Sequence, residues 1–151
     1  MLYLCGMKKV ILFFATLLII GALQSCSQND SSCEAPINPN GSSELAQTMR
    51  TMMTYLNDEK QAILESKPKT EVPEGFDKIL TATPTEGMEI TENYPSYGKH
   101  FLSQLDQYKN CADDQRTEVF NALVSSCVNC HTSHCPGPIG AIEKNILNAE
   151  I

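Results

Sequence analysis

Basic residues are in short supply: 11 Lys and Arg stand against 18 Asp and Glu, a formal net charge of −7. So acidic a chain is repelled by phosphate backbones, which excludes nucleic acid as a partner. Long apolar runs are missing as well. The run from Val10 to Ala22 falls short of the roughly 18 residues expected of a membrane-spanning helix, which argues against a retained span. No internal repeat is visible, and no grouping of nucleophile, base and oxyanion donors stands out, so catalysis is not expected. A length of 151 residues suits one domain with a modest core.

What is present begins with an export signal. Lys8 and Lys9 precede the apolar run Val10 to Ala22, and the small residue Ser25 follows it. The string Leu23-Gln24-Ser25-Cys26 resembles the lipobox of bacterial lipoproteins, which implies lipidation of the Cys26 thiol and cleavage before it. Met7-Lys8-Lys9 makes a more usual start for such a signal than Met1, leaving Cys5 without a role. Removing residues 1–25 leaves nine basic against 18 acidic side chains, a net −9, which suits a basic protein partner reached by salt-sensitive steering. Solubility alone is the plainer reading of the same charge.

Residues 27–43 (SQNDSSCEAPINPNGSS) are polar and have almost nothing to bury, so they read as a tether. As a coil the tether spans on the order of 20 to 25 Å. Ser42 or Ser43 can cap a first helix over 44–66, ending before Pro68, with Leu45, Met49, Met52, Leu56 and Ile63 on one face. Three methionines this close together are ordinary adaptable core filling unless chemistry says otherwise. Pro68, Pro73, Pro84, Pro95, Gly75 and Gly87 leave room only for a short helix around Phe76, Ile79 and Leu80. Residues 84–95 read as an irregular connection. A third helix is expected over 97–110, with Tyr97, Phe101, Leu105 and Tyr108 on its inner stripe and His100 on the rim. Ala112-Asp113-Asp114 can turn the chain and cap a fourth, whose face carries Phe120, Leu123, Val124, Cys127 and His131. The segment after Ile139 can form a last short helix, which the pattern does not place. The fold class is therefore all-α.

The chemistry sits in Cys127-Val128-Asn129-Cys130-His131, the CxxCH signature of covalent haem attachment. Two thiols one helical turn apart can add across the two vinyl groups of one haem c, and the adjacent imidazole of His131 can ligate its iron. This attachment takes place on the exported side of a membrane, where the signal also sends the chain. The layout is thus a signal peptide over 1–25, a tether over 26–43 and a haem-binding domain over 44–151. Zinc is a competitor, since Cys127, Cys130, His131, His134 and Cys135 are all suitable ligands, but four of them crowd into six residues. A haem-free redox pair is weaker, because no βαβ pattern surrounds the CxxC.

The motif lies near the C-terminus, unlike the common single-haem class, and LVSSCVNCHTSH resembles the haem helix of the cytochrome c-prime family of four-helix bundles. Residues 44–49 (ELAQTM) and 97–107 (YGKHFLSQLDQ) look like helices one and three of the related b-type bundle cytochrome. The resemblance covers about residues 44–134; helix 2 looks short, and 20 residues follow His131. It implies an up-down-up-down bundle with a short or irregular second helix, Phe101 against the haem, and the start of helix 1 beside the end of helix 4. It also allows a homodimer. Met49 then faces His131 as the second iron ligand, with Met52 next and Met53, Met88 and His100 behind. His/Met ligation suits an electron carrier.

In that bundle Cys33 and Cys135 both lie at the haem end and Cys111 at the other, so Cys33–Cys135 is the expected disulfide. By the chain-entropy model it would contribute about 4 to 5 kcal/mol. The expected function is one-electron transfer by an exported monohaem cytochrome held to a membrane, the outer one first, by its lipid. The alternative is a five-coordinate binder of small gases such as nitric oxide, in which helix 1 supplies no ligand.

Overall fold

The computed structural model describes residues 42–148, all helix and connection, with no strand among them. Cys26, Cys33, the signal segment and nearly all of the tether lie outside the described residues. No described helix is long and apolar enough to cross a membrane.

Helix α1 spans Glu44–Leu64. Ser43 caps it, its Oγ accepting from the Ala46 N–H at 3.1 Å, as the serine pair suggested. It stops two residues before the expected 66 because Ser66 takes a left-handed φ of 53°, which cannot continue an α-helix. Its buried stripe is Leu45, Met52, Tyr55, Leu56, Glu59 and Ala62, while Met49 and Ile63 are half-buried at the edge. The stripe is rotated from the aliphatic one because Tyr55 packs edge-on against Phe76, 5.7 Å between centroids, and Glu59 finds a cationic partner inside.

The expected short second helix is one 3-10 segment, Phe76–Leu80, entered through Gly75 at φ 88°, a value that favours glycine. Phe76 and Ile79 are buried. Helix α2 runs Tyr94–Asn110, starting three residues before the expected 97. Pro95 falls in its first turn, where the missing N–H has no helical partner to lose. Gly98 lets the 3-10 segment lie close, since a Cβ there would sit 2.6 Å from a Leu80 methyl. Phe101, Leu105 and Tyr108 are buried, Tyr97 is half-buried and His100 is exposed.

Asp113–Gln115 form a 3-10 turn into helix α3, Arg116–His134, which has no side-chain cap; the aspartates turn the chain without capping it. Bonds at both ends show that α2 and α3 lie side by side in opposite directions: Tyr97 Oη meets Ser133 Oγ at 3.1 Å, and Arg116 Nε donates to Tyr108 Oη at 3.0 Å. The chain then forms one helical turn, α4 (Ile139–Ile142), and a 3-10 turn, Glu143–Asn145. That closing segment packs on both α1 and α3. Asn121 grips the Leu147 backbone twice, accepting from its N–H at 2.9 Å and donating to its carbonyl at 2.8 Å. Asn145 donates to the Met53 sulfur at 3.6 Å, and Lys60 Nζ to the Lys144 carbonyl at 2.5 Å.

Candidate functional site

The last two turns of α3 carry Cys127, Cys130, His131 and His134. At 100° per residue, Cys127, Cys130 and His131 fall within an arc of about 100°. Helical geometry therefore places both thiols and the imidazole on one side, as the motif requires. Phe120, Leu123 and Val124 are fully buried one and two turns earlier, which fixes the rotation of the helix. Cys130 is buried and Cys127 half-buried, and both pack with the core.

Burial pushes the Cys127 thiol up to about 12 and raises that of Cys130 as well. Both are thus neutral thiols at pH 7, unlike the acidic thiols of redox CxxC pairs. Burial, helped by nearby Cys130, also lifts the Tyr94 hydroxyl to about 12; that hydroxyl donates to the Ile79 carbonyl at 3.0 Å.

The two histidines differ in what their nitrogens do. His131 Nδ1 lies 2.8 Å from the Cys135 carbonyl, which can only accept, so the ring hydrogen is on Nδ1. Nε2 then carries the lone pair, and it makes no hydrogen bond to the described residues. His134 Nδ1 donates to the Cys130 carbonyl at 3.1 Å, and its Nε2 accepts from Thr91 Oγ1 at 2.7 Å. Tyr94 and Tyr97 stand edge-on to the His134 ring, each centroid 5.4 Å away. No three His, Cys, Asp or Glu side chains among the described residues are gathered as a metal site of their own.

Phe101 is buried on α2, tilted against Phe76 at 6.3 Å, in the core cluster that also holds Cys130. Met49 is half-buried against that cluster and Met52 is inside it. Met53 is engaged by Asn145, Met88 is half-buried in the connection, and Cys135 is exposed just after α3.

Sequence reasoning missed a second buried polar centre, at the far end of α3. The Glu59 carboxylate is wholly buried and accepts from Thr70 N–H at 2.7 Å, Thr70 Oγ1 at 2.5 Å, Arg116 Nη2 at 2.5 Å and the Tyr108 hydroxyl. Arg116 Nη1 also donates to the Lys67 carbonyl at 2.5 Å. Burial alone would raise the Glu59 carboxyl, but bonds from Thr70, Tyr108 and Arg116 outweigh it and hold the group below the usual carboxylate range. The signal was present: Glu59 lies seven residues after Met52 and three after Leu56, a charge on an apolar stripe.

Against known proteins, the chain matches no family model, no curated protein and no solved structure.

Proposed function

We propose that the chain is an exported, lipid-anchored monohaem c-type cytochrome that carries single electrons, with Cys127 and Cys130 holding the haem and His131 ligating its iron. The observation that carries this reading is CxxCH on one helical face, ended by an imidazole whose Nδ1–H is tied to the Cys135 carbonyl. A ligating histidine needs that second bond, which selects the tautomer, fixes the ring and leaves the Nε2 lone pair for metal. The neutral thiols and apolar surroundings suit a large apolar macrocycle. Bound haem would supply an iron that cycles between two oxidation states.

The chain's own residues do the rest. The Cys127 and Cys130 thiols would each hold the haem by adding S–H across one vinyl C=C, with no net oxidation. His131 would hold the iron through Nε2, while buried Phe101, Leu123 and Val124 line the core around the motif.

Met49 is the proposed second ligand, within an up-down-up-down bundle whose second member has shrunk to Phe76–Leu80. Glu59 on α1 meets Arg116 at the start of α3. Leu45 N–H donates to Thr83 O, and Ile79 accepts from Tyr94 at the start of α2, which supports α1 beginning at the end where α3 finishes. At 1.5 Å per residue, Met49 lies about 15 Å from the Glu59 level and His131 about 22 Å from that of Arg116. The two levels therefore differ by roughly 7 Å, which the Met49 and His131 side chains would have to span.

Electron transfer is tested by absorption spectra of the exported protein, oxidised, reduced, and reduced with carbon monoxide, after denaturing extraction to check covalent attachment. A covalent haem with a sharp low-spin spectrum indifferent to carbon monoxide is expected. Met49→Ala should abolish the sulfur-to-iron band, lower the potential and open the iron to carbon monoxide; an unchanged spectrum sinks Met49 as ligand. A wild-type spectrum that is already high-spin and shifts with the gas would make gas binding the function.

A further inference from the structure

The motif ends in two imidazoles, and a haem iron needs only one of them on this side. His131 and His134 are neighbours on the helix surface, three residues apart, and only the spacing from Cys130 marks His131 as the ligand in the sequence. What separates them is the use of the lone pair, the only part of a neutral imidazole that can bind metal.

On His134 that lone pair is taken. With Nδ1–H donating to the Cys130 carbonyl, Nε2 is the acceptor, and the Thr91 hydroxyl donates to it at 2.7 Å. The ring is also hemmed in: the edge-on contacts of Tyr94 and Tyr97, both at 5.4 Å, oppose its rotation. These walls are themselves anchored. Tyr94 donates to the Ile79 carbonyl, Tyr97 meets Ser133, and the Thr91 carbonyl accepts from the Tyr94 N–H at 3.0 Å. Residues from the connection before α2, the first turn of α2 and the last turn of α3 thus converge on one ring that sits beside the haem motif.

We infer that Thr91, Tyr94 and Tyr97 form a socket that occupies the His134 lone pair and keeps this imidazole from competing with His131 for the haem iron. The inference rests on the haem reading above. Thr91 is then a positioning residue: it touches neither haem nor iron in this scheme and acts through His134.

The test compares holoprotein spectra and potentials of wild type, Thr91→Val, His134→Gln and the double variant. Thr91→Val keeps the side-chain shape and removes the donor, releasing one hydrogen bond, which should shift the ring's free population about fivefold. A second haem population with its own potential is expected in Thr91→Val and should vanish in Thr91→Val/His134→Gln. His134→Gln alone should keep the wild-type spectrum. A Thr91→Val spectrum identical to wild type, or a second population that survives in the double variant, overturns the socket. So does a His134 ring whose nitrogen chemical shifts, read on the exported chain with or without haem, place the hydrogen on Nε2. A wild-type chain without covalent haem overturns the haem reading instead, and that is known before any variant is compared.

Discussion

At the scale of single residues, the largest energetic stake is Glu59. A buried carboxylate is tolerated here because every approach to it is a donor: Arg116, Tyr108 and both the N–H and the hydroxyl of Thr70. Removing one partner leaves an uncompensated charge in the core, so Arg116→Met should cost about 3 to 5 kcal/mol. Denaturant unfolding of the protein measures it; a loss under about 1 kcal/mol would show the pair to be solvated. The pH dependence has a definite sign. A carboxyl whose pKa is lowered by folding binds fewer protons in the native state, so its stabilisation is complete above the ordinary carboxylate range and fades as pH falls through the native value. Glu59→Gln should therefore flatten the acid limb of the stability profile.

Among the elements, α3 is the one that joins scaffold to chemistry. Its first turn holds Arg116, its middle the fully buried Phe120, Leu123 and Val124, and its last turns the CxxCH. The closing segment leans on it through Asn121, whose amide serves as both donor and acceptor to the Leu147 backbone. Burial of Ile142 and Leu147 adds about 1.5 to 3 kcal/mol for each side chain. Asn121→Ala should loosen that segment before it affects α3. Hydrogen exchange should then rise first at 142–147, and uniform exchange across both elements would mean that the tail and α3 open together.

For the whole molecule, the distribution of charge matters more than its total. Between α1 and α2, Glu71, Glu74, Asp77, Glu86, Glu89 and Glu92 are all exposed and Lys78 lies among them, paired with Glu44 at 3.7 Å. Near the end of that connection Thr91 bonds to His134, beside the CxxCH motif. A negative field there should speed encounter with a basic redox protein. Raising ionic strength from about 10 mM to about 150 mM shortens the screening length from roughly 30 to 8 Å, so the second-order electron-transfer rate should fall steeply. Stopped-flow kinetics with a basic cytochrome would show this; a rate indifferent to salt would leave the charge a solubility device.

The sequence by itself determined what depends on near neighbours along the chain. The Ser43 cap, the apolar spacing of three long helices, the break in the Pro/Gly connection, and CxxCH on one helical turn all follow from periodicity and local hydrogen bonding. Only the tertiary structure decided what depends on contacts between distant segments. Glu59 stood out only as a charge on an apolar stripe, and its partners Tyr108 and Arg116 lie far along the chain. Met49 belonged to the α1 stripe by periodicity, yet Tyr55 and Phe76 turned that stripe and left it at the edge. The closing segment had no pattern of its own, and Asn121 placed it. The CxxCH spacing singled out His131, and the Cys135 carbonyl and the Thr91 hydroxyl gave the two imidazoles different lone-pair partners. A lone pair's availability depends on what folding brings within 3 Å of it, which local periodicity does not encode.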